Sequence, residues 1–394
     1  WYGAPRTRCA AQATPTAIGK PWPSDPVATS TQGRIGVGRA EVELRAAPGK
    51  AAPTIRERIA VLTGQGLHWR KLPRVHALLL AASPPSMTLT NMQRGRVPLT
   101  MLALASVAGA LCAALPTAAV GQASGAAVRL ADVMMRDAAV LPDSATGTYY
   151  IVASARVPGG GVRAYASKDL VNWEGPHIIY QAPPGLWGDD VDIRSVWAPE
   201  MHAYEGRYYL FLTFDSSSEL PEQWDEWFTW SPRVRRASQV LVSESPLGPF
   251  RAFSNEPTLP AEMMTLDATL WVEDGVPYMV YCHEWVQIVD GAISMVRLQP
   301  DLSAIVGDPE VLFRGSAAPW ARNDPPHRSW VTDAPWFHRS HSGKLFMLWS
   351  SFGAGGYTVG IAVSESGRLA GPWVQQAEPI YADDGGHPML FRTF

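Results

Sequence analysis

Cysteine is almost absent: the 394 residues hold three, Cys9, Cys112 and Cys282. Only Cys282 falls in the stretch that reads as globular, so no internal disulfide is available and the core must suffice. Acidic residues are just as scarce at the front. Residues 1–123 carry 14 Lys and Arg but only Asp25, Glu41, Glu43 and Glu57, a net of +10. They also contain no Phe, one Tyr and three Trp. Residues 124–394 hold the other 19 basic and 32 acidic residues, a net of −13, so the overall −3 describes neither part. The split excludes one uniform globular protein. The acidic part has the wrong sign for a phosphate backbone, and the basic residues ahead of it are scattered, so no nucleic-acid partner is expected.

Residues 1–86 lack a sustained apolar period and cannot offset the entropy of ordering their backbone. They are expected to be disordered or not natively translated, with translation starting at Met87 or Met92. Arg94 and Arg96 precede an uncharged run, Leu99 to Leu115, followed by Pro116 and small residues to Ala123. This is the order of a secretory signal peptide, placed at 87–123. The run is diluted by Ala, Ser, Thr and Gly and falls short of the roughly 20 strongly apolar residues of a spanning helix. Leu111 stands before Cys112 where a lipidated cysteine wants a small residue. The reading is a secreted or periplasmic protein with no stable membrane anchor.

After residue 124 no long helical period occurs. An acidic or polar opener, an apolar strand, a polar turn and an aromatic strand recur instead. The aromatic strands begin at Tyr149, Tyr208, Tyr278 and Phe346, at intervals of 59, 70 and 68. Short β-rich runs punctuated by Gly, Pro, Asn and Asp predict an all-β fold, and a repeat of four short strands predicts a propeller. A further unit opens at Asp383 and the sequence stops at Phe394, so the expectation is five blades over 124–394, the last cut short. His283, His327, His338 and His341 lack metal-ligand spacing, and Gly159-Gly160-Gly161 lacks the strand-to-helix setting of a phosphate loop.

Several motifs, in order, resemble glycoside hydrolase family 43, the five-bladed propeller enzymes that act on arabinose-, xylose- and galactose-containing glycans. They are Arg136-Asp137, Val196-Trp197-Ala198-Pro199-Glu200, Leu266-Asp267-Ala268-Thr269-Leu270, Cys282-His283-Glu284-Trp285-Val286-Gln287, Leu348-Trp349-Ser350-Ser351-Phe352-Gly353 and Asp383-Asp384-Gly385-Gly386-His387. The resemblance implies an inverting glycosidase with an oligo- or polysaccharide substrate. Such an enzyme needs a base and an acid about 6.5–9.5 Å apart, and a neighbouring charge that keeps the acid protonated.

By resemblance Asp137 is the general base and Asp267 the carboxylate that tunes the acid. The family places the acid, usually a Glu, where this sequence has Asp333. Glu284 competes: it ends the strand paired with the one Asp267 opens, and pairing brings both to one rim. Glu284 is taken as the acid, with Asp333 as substrate contact or alternative acid. Trp197, Glu200, Trp285, Trp336 and His387 are candidate substrate contacts. No cofactor is required and no dedicated metal site is expected, though the resemblance allows a structural calcium ion near His387. Glu174-Gly175-Pro176-His177 copies the family's acid motif but lies at an outer-strand exit. Departures from the family pattern are Ala138 where Pro often follows the base, Ala268 for a common Gly, and Pro388 after His387. A non-catalytic glycan-binding propeller is the rival reading, since a fold alone never proves function.

Overall fold

Runs such as Tyr149-Tyr150-Ile151-Val152 and Tyr278-Pro277-flanked Met279-Val280-Tyr281 are β-branched and aromatic, and polar turns separate them from their neighbours. A computed structural model describes residues 127–394, apart from 225–230 and 324–327, together with the backbone of three strands upstream. These are β1 (Arg58–Thr63), β2 (Gly66–Leu67) and β3 (His76–Leu80). The 87–123 segment read as a signal peptide lies outside the described residues.

A short strand, β4 (Val128–Arg129), leads into the first blade: β5 (Ala139–Asp143), β6 (Thr148–Ala155), β7 (Gly161–Ser167) and β8 (Asn172–Gln181). The second is β9 (Ile193–Tyr204), β10 (Arg207–Glu219), β11 (Val234–Ser243) and β12 (Arg251–Ala252). The third is β13 (Thr265–Glu273), β14 (Val276–His283), β15 (Ala292–Leu298) and β16 (Ile305–Arg314). The fourth is β17 (Asp333–Arg339), β18 (Leu345–Gly353), β19 (Gly356–Ser364) and β20 (Trp373–Gln375). Each is an antiparallel sheet of sequential neighbours.

The all-β propeller therefore stands, with one correction: it has four such blades rather than the five expected. The last strand, β21 (Gly386–Phe391), pairs antiparallel with β3, and β3 pairs parallel with β1. A parallel pair cannot be closed by a tight turn, so this sheet is not the up-and-down meander of a blade. β21 nevertheless takes the fifth inner position. Inner strands meet around a ring, β5 on β9, β9 on β13, β13 on β17, β17 on β21 and β21 on β5. The axis is thus lined by five strands, and the fifth owes its pairing to a segment from 1–86, the stretch read as disordered or untranslated.

Between blades, sheet faces interdigitate. One apolar cluster joins Ile151 and Val152 of the first blade to Leu210, Leu212 and Phe214 of the second. Another joins Val280 and Ile293 of the third to Met347 and Trp349 of the fourth. Trp173, Trp349, Tyr209 and Tyr281 are fully buried, so most of the aromatic wealth noted in the sequence is spent on packing. Among the described residues no helix is long and apolar enough to cross a membrane.

Candidate active site

The five inner strands share one backbone irregularity. Asp137, Ala198, Asp267, Ala334 and His387 all have φ between 42° and 56°, a left-handed conformation unusual outside glycine. In four of them the pairing slips at that point, between Phe211 and Thr213, Leu266 and Thr269, Asp333 and Trp336, and Gly386 and Pro388. A bulge sets two residues against one and re-aims the side chains beside it. Repeated around the ring, it turns the starts of sequence-distant strands toward one space. Strain of this kind concentrates at functional sites.

The register corrects an alignment by residue type. Asp333-Ala334-Pro335 looks like the counterpart of Asp267-Ala268-Thr269, yet the backbone equates Ala334 with Asp267. Asp333 thus stands one residue earlier, and Glu200 two residues after Ala198, at other depths of the same bulge.

Contacts tie these groups into one centre. The Ala334 N–H donates to Asp267 Oδ2 at 3.0 Å, and His387 Nδ1 lies 3.7 Å from Asp267 Oδ2 and 3.9 Å from Asp137 Oδ1. The Asp267 N–H donates to Thr213 Oγ1 at 3.1 Å, anchoring the third blade's opener on the second. Arg136 Nε donates to Asp137 Oδ2 at 3.1 Å, and Asp137 keeps 20% of its side chain exposed, so water reaches it. Glu200 is buried, its Oε2 3.0 Å from His202 Nε2. The His202 ring stacks on Trp336, whose Nε1 donates to the Leu390 carbonyl at 2.8 Å.

Glu284 belongs to a second, adjoining cluster. It is buried at the end of β14, where Arg236 Nη1 meets its Oε1 at 2.5 Å while Nη2 meets Asp215 Oδ1 at 2.9 Å. The same guanidinium lies 4.2 Å from the ring centroid of Trp197. Glu284 Oε2 is buried with no hydrogen-bond partner among the described residues. Trp285 opens a short helix, α1 (Trp285–Ile288), and packs on apolar clusters rather than joining the carboxylates. Glu174 sits on β8, the outermost full-length strand of its blade, as its sequence context implied.

Burial pushes Asp267 up to about 6; Asp137 and Glu200 add to the rise, and His387 and the Ala334 N–H oppose it. Burial lifts Asp333 well above the usual carboxylate range, and Asp267, Asp137 and Glu284 reinforce that rise against the Tyr357 hydroxyl. Burial also raises Glu284, but Arg236 draws it back. The thiol of Cys282, buried beside them, is raised by burial and by Asp267 and Asp333, which makes it an inert packing group. Among the described residues no three His, Cys, Asp or Glu side chains converge as a metal-ligand set.

A carboxylate whose affinity for protons is raised on folding costs stability once it ionises. For Asp267 that cost is absent below its unfolded value of 3.8 and complete above about 6. Asp267→Asn is therefore expected to melt higher than the parent above that window while losing activity, with the gap in melting temperature closing as the pH falls through it. Equal melting temperatures at both ends of the range would contradict the assignment of the cost to this carboxylate.

Tyr357, Arg236, Asp215 and His202 lie in no family-like motif, and only the folding of the blades brings them to the acidic groups.

Carboxylates of unequal proton affinity, gathered at the starts of a propeller's inner strands, are suited to acid–base chemistry. The sequence profile of glycosyl hydrolases family 43 matches residues 132–390, and the chain belongs to that family. It is a glycosidase. It is similar to an endo-arabinase from Bacteroides thetaiotaomicron VPI-5482, at 38% identity and a TM-score of 0.58, over 67% of this chain and 87% of that one. A thermostable family-43 glycoside hydrolase shares the fold, at 22% identity and a TM-score of 0.52 over 69% and 81% of the two chains. A beta-xylosidase of Bacillus subtilis (strain 168) is 24% identical over 254 residues, 61% of this chain. The match spans only 41% of that xylosidase's length.

Proposed function

We propose that the enzyme cleaves arabinose-containing glycans by single displacement with inversion, arabinan being favoured over xylose- and galactose-containing chains. The observation that carries the mechanism is the meeting of Asp137, Asp267 and Asp333 where the inner strands begin. The choice of arabinan rests on the likeness to the endo-arabinase, which extends over most of that protein.

Asp137, the exposed member, takes a proton from the water that attacks the anomeric carbon. Asp333 gives its proton to the departing glycosidic oxygen on the opposite face. Asp267, linked to the Asp333 strand through the Ala334 N–H, holds Asp333 protonated by its charge. Asp333 is preferred to Glu284 as the donor because an ion pair with Arg236 stabilises Glu284 as the anion, whereas three carboxylates press Asp333 toward its neutral form. Trp197, Trp336, Glu200 and His387 border the sugar. Water and two carboxyl groups complete the proton balance without a cofactor. The Arg94–Ala123 pattern supports export, and N-terminal sequencing of the secreted product tests it.

Leaving-group dependence tests the acid. Asp333→Asn is expected to lose about 10²–10⁴-fold on a glycoside with a poor leaving group, and far less on a dinitrophenyl glycoside, which departs without a proton. Glu284→Gln is expected to show no such dependence. The opposite pattern would return the role to Glu284. Nitrophenyl arabinofuranoside, xyloside and galactofuranoside compared side by side identify the sugar.

A further inference from the structure

Tyr357 opens β19, and no motif pointed to it. Its hydroxyl donates to Asp333 Oδ2 at 2.8 Å, crossing from the third strand of the blade to its opener. Its backbone N–H donates to Asp384 Oδ1 at 3.1 Å, which pins the start of the strand to the segment before β21. The ring is held by an unusually close approach. A Cβ built on Gly386 would stand 2.1 Å from Tyr357 Cε1 and 2.6 Å from Cζ. Only a residue without a side chain can occupy that position, so the second glycine of Gly385-Gly386-His387 exists to admit this ring. His387 follows immediately, its N–H donating to Ser350 Oγ at 2.9 Å. Gly386 and His387 thus set the Tyr357–Asp333 contact and the histidine facing Asp137 and Asp267 from one strand.

We propose that Tyr357 is the positioning residue of the general acid: its hydroxyl aims the Asp333 carboxyl and limits how tightly it holds its proton, and Gly386 is the clearance that makes this reach geometrically feasible. The inference rests on the reading of Asp333 as the acid. A hydroxyl donating to a carboxylate favours the ionised form, so it opposes the burial and like charge that would otherwise keep Asp333 permanently protonated. An acid that never releases its proton is as useless as one that never holds it. Burial, and then Asp333, Asp267 and Asp137, raise Tyr357 well above 10, so it remains a donor throughout the working range. The groups facing Asp333 from the packed elements are Asp267 of β13, Cys282 and Glu284 of β14 and its end, Asp137 before β5, and Tyr357 itself; His387 of β21 and Glu200 of β9 face Asp267. Of these Tyr357 alone donates a hydrogen bond to the Asp333 side chain among the described contacts.

The test is the pH profile of kcat/KM for Tyr357→Phe in the full chain, on the glycoside the sugar screen selects. Removing the hydroxyl should move the alkaline limb to higher pH and lower the plateau about tenfold, the phenyl ring still filling its slot. Gly386→Ala, which displaces the ring, should move the limb in the same direction. A ring with only a packing role would lower activity and leave the limb in place; an unmoved limb, or one moved to lower pH, overturns the proposal. A double-mutant cycle with Asp333→Asn, measured on a dinitrophenyl glycoside, separates the two readings. If Asp333→Asn proves fully active, the acid assignment fails, and the Tyr357 link survives only if Tyr357→Phe has no effect in that background. A Tyr357→Phe effect that persists undiminished with Asp333→Asn overturns the link itself.

Discussion

Asp137→Asn is expected to lower kcat/KM by about 10³-fold or more without unfolding the protein, the contribution general-base assistance typically makes. Asn is isosteric, and its carbonyl oxygen still accepts from Arg136, whose Nε now meets Asp137 Oδ2 at 3.1 Å. What disappears is the proton acceptor for water. The loss should be equal on good and poor leaving groups, because the attacking water needs the base whichever group departs. This separates Asp137 from Asp333, whose replacement is forgiven by a leaving group that needs no proton. The substitution also removes one of the charges that raise Asp267, so that carboxyl should release its proton at lower pH. Activity within tenfold of the parent on both substrate types would refute the assignment.

Arg236→Met should be the most damaging single change to stability. The guanidinium, only 14% exposed, is the shared partner of Glu284 and Asp215 and covers the Trp197 ring. Burial alone would depress its basicity, but Glu284 and Asp215 outweigh burial and raise it. Without it two carboxylates are left in a poorly solvated place, Glu284 already carrying one oxygen with no hydrogen-bond partner among the described residues. Orphaning a buried ion pair costs about 3–5 kcal/mol, which for a domain of this size lowers the melting temperature by roughly 10 °C. The sign with pH follows: the stranded Glu284 binds its proton more tightly when folded, so the deficit is largest at neutral pH and shrinks on acidification. Arg236→Lys should recover only part, because one ammonium cannot span two carboxylates and an indole face. Adding Glu284→Gln to Arg236→Met should restore some stability, since it removes the charge that was stranded. A Met variant that melts with the parent would show that the pair contributes nothing.

The β period, the turn residues and the spacing of aromatic strands were enough to read an all-β propeller, because each blade is a local meander whose strands follow one another in sequence. The blade count was not. Four meanders are legible, but β21 pairs with β3, nearly the whole chain away, and a contact of that span leaves no periodic trace. Asp137 and Asp267 were readable because their neighbours carry family-like motifs. The ranking of Asp333 and Glu284 was not, since both are acids at strand ends. What distinguishes them is Arg236 of β11 on one and Tyr357 of β19 on the other, each delivered by tertiary packing. Trp285, a tryptophan beside an acid, opens α1 and packs half-buried against apolar clusters.

By itself the sequence determined the fold class, the division between a basic front and an acidic, aromatic-rich propeller, and which acids could be proposed for catalysis. These follow from composition and local periodicity, which act over a few residues. The tertiary structure decided which acids share a space, at what proton affinity, and with which partners. Those depend on burial and on charges a few ångströms away, and the left-handed residues Asp137, Asp267 and Ala334 bring together groups that the chain keeps more than 60 residues apart.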